Sequence, residues 1–314
     1  ILRKIVTIKI AHRGASGYLP EHTLQAAAYA HALGADYIEQ DVVLSKDSVP
    51  VVLHDIYLNS VTDVKKKFSN RKREDGNWYV SDFTLSELKE LSVNERLHSN
   101  GMEAVYPNRF PISKGNFQVS TLSEHIELIQ GLNVSTMRNV GIYPEIKRPR
   151  WHNKEGLDIS KITIDLLKQY GYSTNDDEIF LQCFDSKELK RIKNELNSSL
   201  PLIQLIGNNS WGESEDDYSY MITENGIKDV SKYAVGIGPY LQLNYNITLK
   251  SRDFRPSPMV KYARQNNLLI HPYTIRKDSI PLDFANYEEM VNFFISTLKI
   301  DGLFTDFVDL TEIS

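Results

Sequence analysis

The hydrophobic pattern at the start of the chain predicts a strand, a helix and a second strand. Residues 5–10 are short, β-branched and alternating, which is typical of a strand. A helical stretch covers residues 20–33, and Gly34 supplies its stop signal. Residues 37–44 form the next apolar run, which we interpret as the second strand.

The segment that follows the second strand predicts a hairpin. Another strand at 50–54 begins only a few residues after the strand at 37–44. Parallel strands need a crossover of about a dozen residues or more, so these two strands must be antiparallel. Folding the chain about this turn returns His54 to a position nearly opposite Asp41.

Residues 57–118 differ in character from the rest of the chain. They are polar and charged, with scattered aromatic residues. A stretch this long is unlike a structureless loop in a compact domain, so we interpret it as a small inserted subdomain. The basic run 65–67 within it is typical of a solvated face rather than of a phosphate site.

A regular alternation of strands and helices returns after the insertion. Strands are predicted at 141–146, 179–184, 202–207, 234–239, 268–273 and 302–307. Helices are predicted at 121–132, 156–170, 186–196, 225–233, 257–266 and 286–298. Without the return strand of the hairpin, eight strands alternate with helices. This predicts an α/β fold: a TIM (β/α)8 barrel forming one domain over 1–314, with the insertion after the second-strand hairpin. A doubly wound open sheet is the alternative, but the chain has no Gly-rich dinucleotide fingerprint.

Composition excludes several classes of protein. The 314 residues are 41% hydrophobic, which is enough for a sizeable core, and no stretch reaches the length of a membrane span. The net charge of −5 disfavours nucleic acid as a partner. The single cysteine, Cys183, cannot form an internal disulfide, and its apolar neighbours indicate a buried structural thiol. Because the chain starts at Ile1 rather than Met, we expect a removed or omitted leader.

Three carboxylates near predicted strand ends indicate a metal site. Glu39 and Asp41 lie two residues apart in one strand and therefore share a face, and Glu145 ends another strand. Unpaired charges are costly to bury, so an acid pair in an apolar strand needs a partner. Carboxylate oxygens suit Mg²⁺ or Ca²⁺.

Histidines and cations complete the candidate chemistry. His12 and His54 titrate near neutral pH, so one can donate a proton while the other accepts one. Arg13 and Lys147 add positive charge for an anionic group. Together with a divalent metal, they suggest transfer of a phosphoryl group to water. We assign structural roles to the remaining histidines, which are His22, His31, His98, His125, His152 and His271.

Seven sequence motifs carry a resemblance to a known family. They occupy residues 11–23 (Ala-His-Arg-Gly-Ala-Ser-Gly-Tyr-Leu-Pro-Glu-His-Thr), 34–41, 51–55, 143–147, 181–185, 271–274 and 302–306. With these motifs in this order along the sequence, the chain resembles the glycerophosphodiester phosphodiesterase family, and specifically its longer periplasmic branch. Two positions depart from the commoner family pattern. Residue 22 is Asn in most of the family but His here, as in the periplasmic branch, and Val308 occupies a position where Pro is frequent.

The resemblance implies a TIM barrel with an insertion that helps to close the site around the glycerol end of the substrate. It implies a catalytic pair, a metal site for Ca²⁺ (with Mg²⁺ as the alternative) and phosphate contacts. The catalytic pair is His12 and His54. The metal site consists of Glu39, Asp41 and Glu145, and the phosphate contacts are Arg13 and Lys147. Aromatic residues such as Phe184 and Trp211 are candidates to pack against the glycerol, with a core role as the alternative.

The implied reaction is hydrolysis of glycerophosphodiesters to sn-glycerol 3-phosphate and an alcohol. Expected substrates are glycerophosphocholine, glycerophosphoethanolamine and glycerophosphoglycerol. Attack by a glycerol hydroxyl, through a cyclic phosphate, and direct attack by water both stay open. The expected location is periplasmic, secreted or surface-anchored, and a homodimer is left open. Two alternatives are a phospholipase D-like lyase acting on lysophospholipids and a surface binding protein or antigen.

Overall fold

The computed structural model describes residues 7–99, 101–248 and 253–311, with only the backbone of Asp253. Residues 5 and 6 of the first predicted strand lie outside this part of the chain. The strands are β1 (Ile8–Ala11), β2 (Tyr37–Leu44), β3 (Pro50–Val52), β4 (Gly141–Ile146), β5 (Leu181–Cys183), β6 (Leu202–Ile206), β7 (Gly236–Pro239), β8 (Tyr245–Thr248), β9 (Asp253–Pro256), β10 (Leu269–Ile270) and β11 (Gly302–Thr305).

The helices lie between these strands and in the insertion. They are α1 (Leu24–Ala32), α2 (Val64–Lys67), α3 (Leu85–Lys89), α4 (Leu122–Thr136), α5 (Pro149–Lys154), α6 (Ile159–Gln169), α7 (Ser186–Asn194), α8 (Tyr218–Met221), α9 (Glu224–Val230), α10 (Pro258–Gln265) and α11 (Tyr287–Asn292), which continues into a π-helical turn at Phe293–Thr297. Among the described residues, no helix is long and apolar enough to cross a membrane.

The parallel strands form a nearly closed barrel, which confirms the predicted fold. Their order is β10, β7, β6, β5, β4, β2, β1 and β11. A few backbone hydrogen bonds join the two ends of this sheet. Phe304 donates to the carbonyl of Pro272 at 3.1 Å, and Ile275 donates to that of Phe304 at 2.9 Å. Helices surround the sheet, and their apolar faces and the outer faces of the strands form the main core.

The hairpin is also present. β3 pairs antiparallel with β2, with Val51 opposite Val43. Beyond the strand, the amide of Leu53 donates to the carbonyl of Asp41 at 2.9 Å, so His54 lies one residue past the position opposite Asp41. The short turn therefore carries His54 back to the carboxyl end of β2, as the loop-length argument predicts.

Several parts of the structure differ from the expectation: the helix predicted from residue 20 begins at Leu24, and the short helix α8 was not predicted. The helix predicted at 156–170 begins at Ile159, after Gly156 in a left-handed conformation, and α5 precedes it with Pro149 in its first turn. Proline at this position is a helix-start signal that could have located α5. A two-stranded antiparallel ribbon of β8 and β9 was not predicted.

The insertion contains α2, α3 and short 3₁₀ turns, and it builds a second apolar core. Phe83 and Leu88 are fully buried there, against Val43 and Val51 of the hairpin. The basic run 65–67 is exposed, which agrees with a solvated face. Because the barrel's own hairpin supplies part of this core, the limits of a separate subdomain at 57 and 118 stay a prediction.

We expect Phe83→Ala to lower the free energy of unfolding by about 3–5 kcal/mol, because it leaves a cavity in the insertion core. Chemical denaturation measures this loss. Leu282→Ala is the control, since that side chain is fully exposed, and it should stay within about 0.5 kcal/mol of the unsubstituted protein. Equal losses for both variants would contradict the packing role of Phe83.

Candidate active site

A cavity of about 220 Å³ opens at the carboxyl ends of the barrel strands. All seven residues singled out from the sequence line it, together with Gln182, Phe184 and Trp211. They reach it because the carboxyl ends of parallel strands meet at one end of a barrel. The sequence-predicted lining residues are His12, Arg13, Glu39, Asp41, His54, Glu145 and Lys147.

Three buried carboxylates form the centre of this cavity. Asp41 of β2 lies beside Glu145 of the neighbouring strand β4, and Glu39 lies two residues before Asp41 on the same face of β2. One oxygen from each carboxylate can be chosen so that all three lie within 4.8 Å of one another. Glu39 is fixed at both oxygens, by the side-chain amide of Gln182 at 2.8 Å and the backbone amide of Arg13 at 2.9 Å.

Burial and mutual repulsion set the protonation of these groups. Burial, Asp41 and Glu145 raise the pKa of Glu39 well above its usual value. Burial also raises the pKa of Glu145 to about 8, against the opposing charge of Lys147. Burial works in the same direction on Asp41, but His22 and Lys147 outweigh it and hold the pKa of Asp41 well below its usual range.

The carboxylates fit a hard divalent cation. Asp41 Oδ1 is fully buried, and no hydrogen-bond partner contacts it among the described residues. Such an oxygen is costly unless a ligand satisfies it. The three candidate donors are all carboxylate oxygens, which is the donor set that Ca²⁺ and Mg²⁺ prefer.

His22 is a residue whose function the sequence analysis missed. Its Nε2 donates to Asp41 Oδ2 at 2.7 Å, and both side chains are buried. This hydrogen bond fixes the orientation of the Asp41 carboxylate and leaves Oδ1 free of protein partners among the described residues. His22 has a left-handed φ of 61°, and the replacement of the commoner Asn at this position was the available signal.

Each candidate catalytic histidine is held by a carboxylate. His12 Nδ1 donates to Asp306 at 2.6 Å, and His54 Nδ1 donates to Asp55 at 2.6 Å. These bonds fix the tautomer and leave Nε2 of each ring for proton exchange. Asp306 belongs to a motif quoted from the sequence, but no role was assigned to it there.

Both rings are neutral at pH 7 in the absence of a cation. Burial and the charge of Arg13 lower the pKa of His12 to about 4. Partial burial, Arg13 and Lys147 lower the pKa of His54 to about 3. Each Nε2 therefore starts as a proton acceptor.

The two cations lie beside the carboxylates. Arg13 Nη1 donates to both oxygens of Glu21 at 3.1 Å, and its Nε is 3.6 Å from Asp41 Oδ2. Lys147 Nζ is 2.9 Å from Glu145 Oε1. The cavity thus combines acidic and basic groups, as recognition of an anion at a metal requires.

The chain is similar to known proteins along nearly its whole length. The model of the glycerophosphoryl diester phosphodiesterase family matches residues 12–310. A glycerophosphodiester phosphodiesterase from Haemophilus influenzae is 44% identical, over 96% of this chain and 88% of the relative. One from Treponema pallidum is 38% identical, over 96% and 89%.

A solved structure shares the fold. It is an Oleispira antarctica phosphodiesterase in complex with the product sn-glycerol-3-phosphate. The TM-score is 0.66 at 19% identity, and the match covers 98% of this chain and 95% of that chain.

We expect His22→Gln to weaken Ca²⁺ binding by about 10- to 100-fold, because groups that orient a ligand contribute to affinity on this scale. Isothermal titration calorimetry measures the affinity. His31→Gln is the matched control, since His31 is also buried but bonds to Asn133 away from the cavity. Unchanged affinity in His22→Gln would show that the hydrogen bond to Asp41 is dispensable.

Cation binding should release protons near neutral pH. A carboxyl whose folded pKa is raised contributes stability at low pH and loses it as the pH rises through that pKa, which is about 8 for Glu145. Binding a cation displaces this proton. We therefore expect Ca²⁺ affinity to rise between pH 5.5 and pH 8, with release of about two protons at pH 6.5, because Glu39 and Glu145 both retain protons without the ion.

Calorimetry in buffers of different ionisation enthalpy counts the released protons. Glu145→Gln should reduce that number in whatever binding remains. An affinity independent of pH across this interval would contradict the assignment.

Proposed function

The chain belongs to the glycerophosphoryl diester phosphodiesterase family, and we propose that its barrel cavity hydrolyses glycerophosphodiesters with one divalent cation and the imidazoles of His12 and His54. One observation carries this proposal. Two carboxylate-held histidines and three crowded carboxylates line the same cavity at the carboxyl ends of the strands.

Glu39, Asp41 and Glu145 would hold the cation. When bound there, it supplies charge neutralisation at phosphate oxygens and polarises an attacking oxygen. The oxygen-only donor set supports Ca²⁺ as the ion, with Mg²⁺ as the alternative.

His12 and His54 exchange the protons of the reaction. Nε2 of one neutral ring accepts the proton of the attacking hydroxyl. The other ring takes up a proton from solvent when the anionic phosphate binds beside it, and its Nε2 gives that proton to the leaving oxygen. Asp306 and Asp55 stabilise the protonated ring in each case, because each accepts a short hydrogen bond from Nδ1.

Arg13 and Lys147 bind the phosphate in this proposal. Both side chains line the cavity beside the carboxylates. Burial works against their charge, but the acidic neighbours Glu21 and Glu145, respectively, raise the pKa of each, so both remain cationic. Fixed positive charge favours a transition state in which negative charge builds up on phosphate oxygens.

The proposed product is sn-glycerol 3-phosphate. The Oleispira antarctica phosphodiesterase holds this compound, which supports the same product here. Phe184 and Trp211 line the cavity and offer apolar surface for the glycerol carbons. Glycerophosphocholine, glycerophosphoethanolamine and glycerophosphoglycerol are the proposed substrates, and the proposed location is periplasmic, secreted or surface-anchored.

We expect His54→Ala to lower kcat by about 10²- to 10⁴-fold, because it removes a proton-transfer group. A coupled assay of sn-glycerol 3-phosphate release from glycerophosphocholine measures it, and chelator should abolish the activity until Ca²⁺ is restored. His98→Ala is the control, because His98 is exposed on the insertion and should leave kcat unchanged.

The same assay separates the proposal from a lyase. Activity on lysophosphatidylcholine with a cyclic phosphate product, and none on glycerophosphocholine, would contradict the proposed hydrolysis. Full activity in His54→Ala would contradict the role of that ring.

A further inference from the structure

Two arginines of the insertion reach the carboxylates that hold the catalytic histidines. Arg96 contacts Asp55, which accepts from His54, and Arg109 contacts Asp306, which accepts from His12. Both arginines come from one stretch of the insertion, in which the amide of Val105 donates to the carbonyl of Arg96 at 2.8 Å.

Arg96 bridges two acids. Its Nη1 donates to Asp55 Oδ2 at 2.7 Å, and Asp55 Oδ1 accepts from His54 Nδ1 at 2.6 Å. Its Nε and Nη2 donate to the two oxygens of Glu21 at 2.9 and 2.6 Å. Glu21 in turn accepts from Arg13, so Arg96 also supports the proposed phosphate-binding side chain.

Arg109 has a similar position on the other histidine, where Arg276 Nε, from outside the insertion, also donates to Asp306 Oδ2 at 2.8 Å. Its Nη2 donates to Asp306 Oδ2 at 2.6 Å, and Asp306 Oδ1 accepts from His12 Nδ1 at 2.6 Å. Its Nη1 donates to the carbonyl of Ser16 at 3.1 Å, and Nε and Nη2 hold Asp278 at 2.8 and 2.9 Å. The guanidinium stacks on Tyr106, 3.7 Å from the ring centre.

Neither arginine has a side-chain nitrogen left without a protein acceptor. Nε, Nη1 and Nη2 of Arg96 and Arg109 each donate within the protein. Both nevertheless line a polar cavity of about 200 Å³ beside His12 and His54. They can therefore act on the reaction through the carboxylates that they hold.

Asp55 needs such support more than a strand residue does. It lies beyond β3, outside the ladder of the barrel, and its side chain is 22% exposed. A carboxylate in this position can turn towards water, and the ring that it holds then loses its fixed tautomer. Arg96 gives Asp55 one hydrogen bond, from Nη1, while its Nε and Nη2 are fixed on Glu21, so the planar guanidinium sets the direction of that bond, which a point charge cannot do.

We infer that Arg96 and Arg109 are positioning residues, through which the insertion fixes the orientation and tautomer of His54 and His12. The insertion thus contributes to catalysis through the carboxylates that orient the two rings. This inference rests on the proposed function, because it assumes that both rings transfer protons.

The test compares Arg96→Gln and Arg109→Gln with Arg73→Gln in the complete chain. Arg73 is a matched control in the same insertion, since it also bridges two carboxylates, Asp82 and Glu155, but contacts neither histidine. Kinetics use glycerophosphocholine with Ca²⁺. Histidine ¹⁵N spectra report the Nδ1–H signals, assigned with His12→Gln and His54→Gln.

We expect kcat to fall by about 10- to 100-fold in Arg96→Gln and in Arg109→Gln, as for small misplacements of a reacting group. KM should change less than about threefold in Arg109→Gln and should rise further in Arg96→Gln, since Arg96 also supports Arg13. The low-field Nδ1–H signal of His54 should be lost only in Arg96→Gln. That of His12 should weaken only in Arg109→Gln, because Arg276 still holds Asp306 there. Arg96→Lys should recover part of the rate.

Several results would overturn the inference. Unchanged kcat in both variants, or losses no larger than in Arg73→Gln, would reduce the two arginines to structural contacts. Unchanged Nδ1–H signals in both variants would also show that the two arginines do not position the rings. This spectroscopic test does not depend on hydrolysis of glycerophosphocholine. Lack of hydrolysis in the unsubstituted protein contradicts the proposed function alone. If Arg96→Gln does not fold, Arg96→Lys carries the same comparison.

Discussion

Three buried carboxylates within 4.8 Å of one another are the constraint on which the site depends. Water cannot screen their repulsion, so the metal-free protein relieves it by retaining protons on Glu39 and Glu145. Hydrogen bonds from Gln182 and His22 fix the carboxylates instead of separating them. A fold that holds like charges together loses local stability there, and a cation bound by the three carboxylates, as proposed, would restore it.

The charges around this centre alternate in sign outward. Arg13 and Lys147 lie against the central carboxylates. Further acids contact Arg13 and the two histidines on the side away from this centre. These outer acids are Glu21, Asp55 and Asp306, and they meet the arginines of the insertion. Removing one partner of a buried pair leaves an uncompensated charge, so a substitution far from the phosphate can reach the reacting atoms. The barrel and the insertion are therefore one electrostatic unit, and they also share an apolar core through Val43 and Val51 of the hairpin.

Local rules predicted the elements that depend on local geometry. Strand period placed Glu39 and Asp41 on one face, and loop length alone required the hairpin that returns His54. The role of His22 depends on a left-handed loop residue meeting a strand, which no periodicity encodes. Arg109 lies 197 residues from Asp306, in a segment without helical or strand period, so its contact was invisible in the sequence. The sequence thus predicted the side chains at the strand ends that carry the chemistry. It did not predict the roles of His22 and Arg109, which orient those side chains.

The central claim is that Glu39, Asp41 and Glu145 hold one cation together. Anomalous diffraction from crystals grown with Mn²⁺, an oxygen-seeking ion, tests it directly. The account predicts a single strong peak inside the barrel mouth, within about 2.0–2.6 Å of an oxygen from each of the three carboxylates. A peak bound by other residues, or no peak between these carboxylates in crystals of protein that hydrolyses glycerophosphocholine with the same ion, would contradict it.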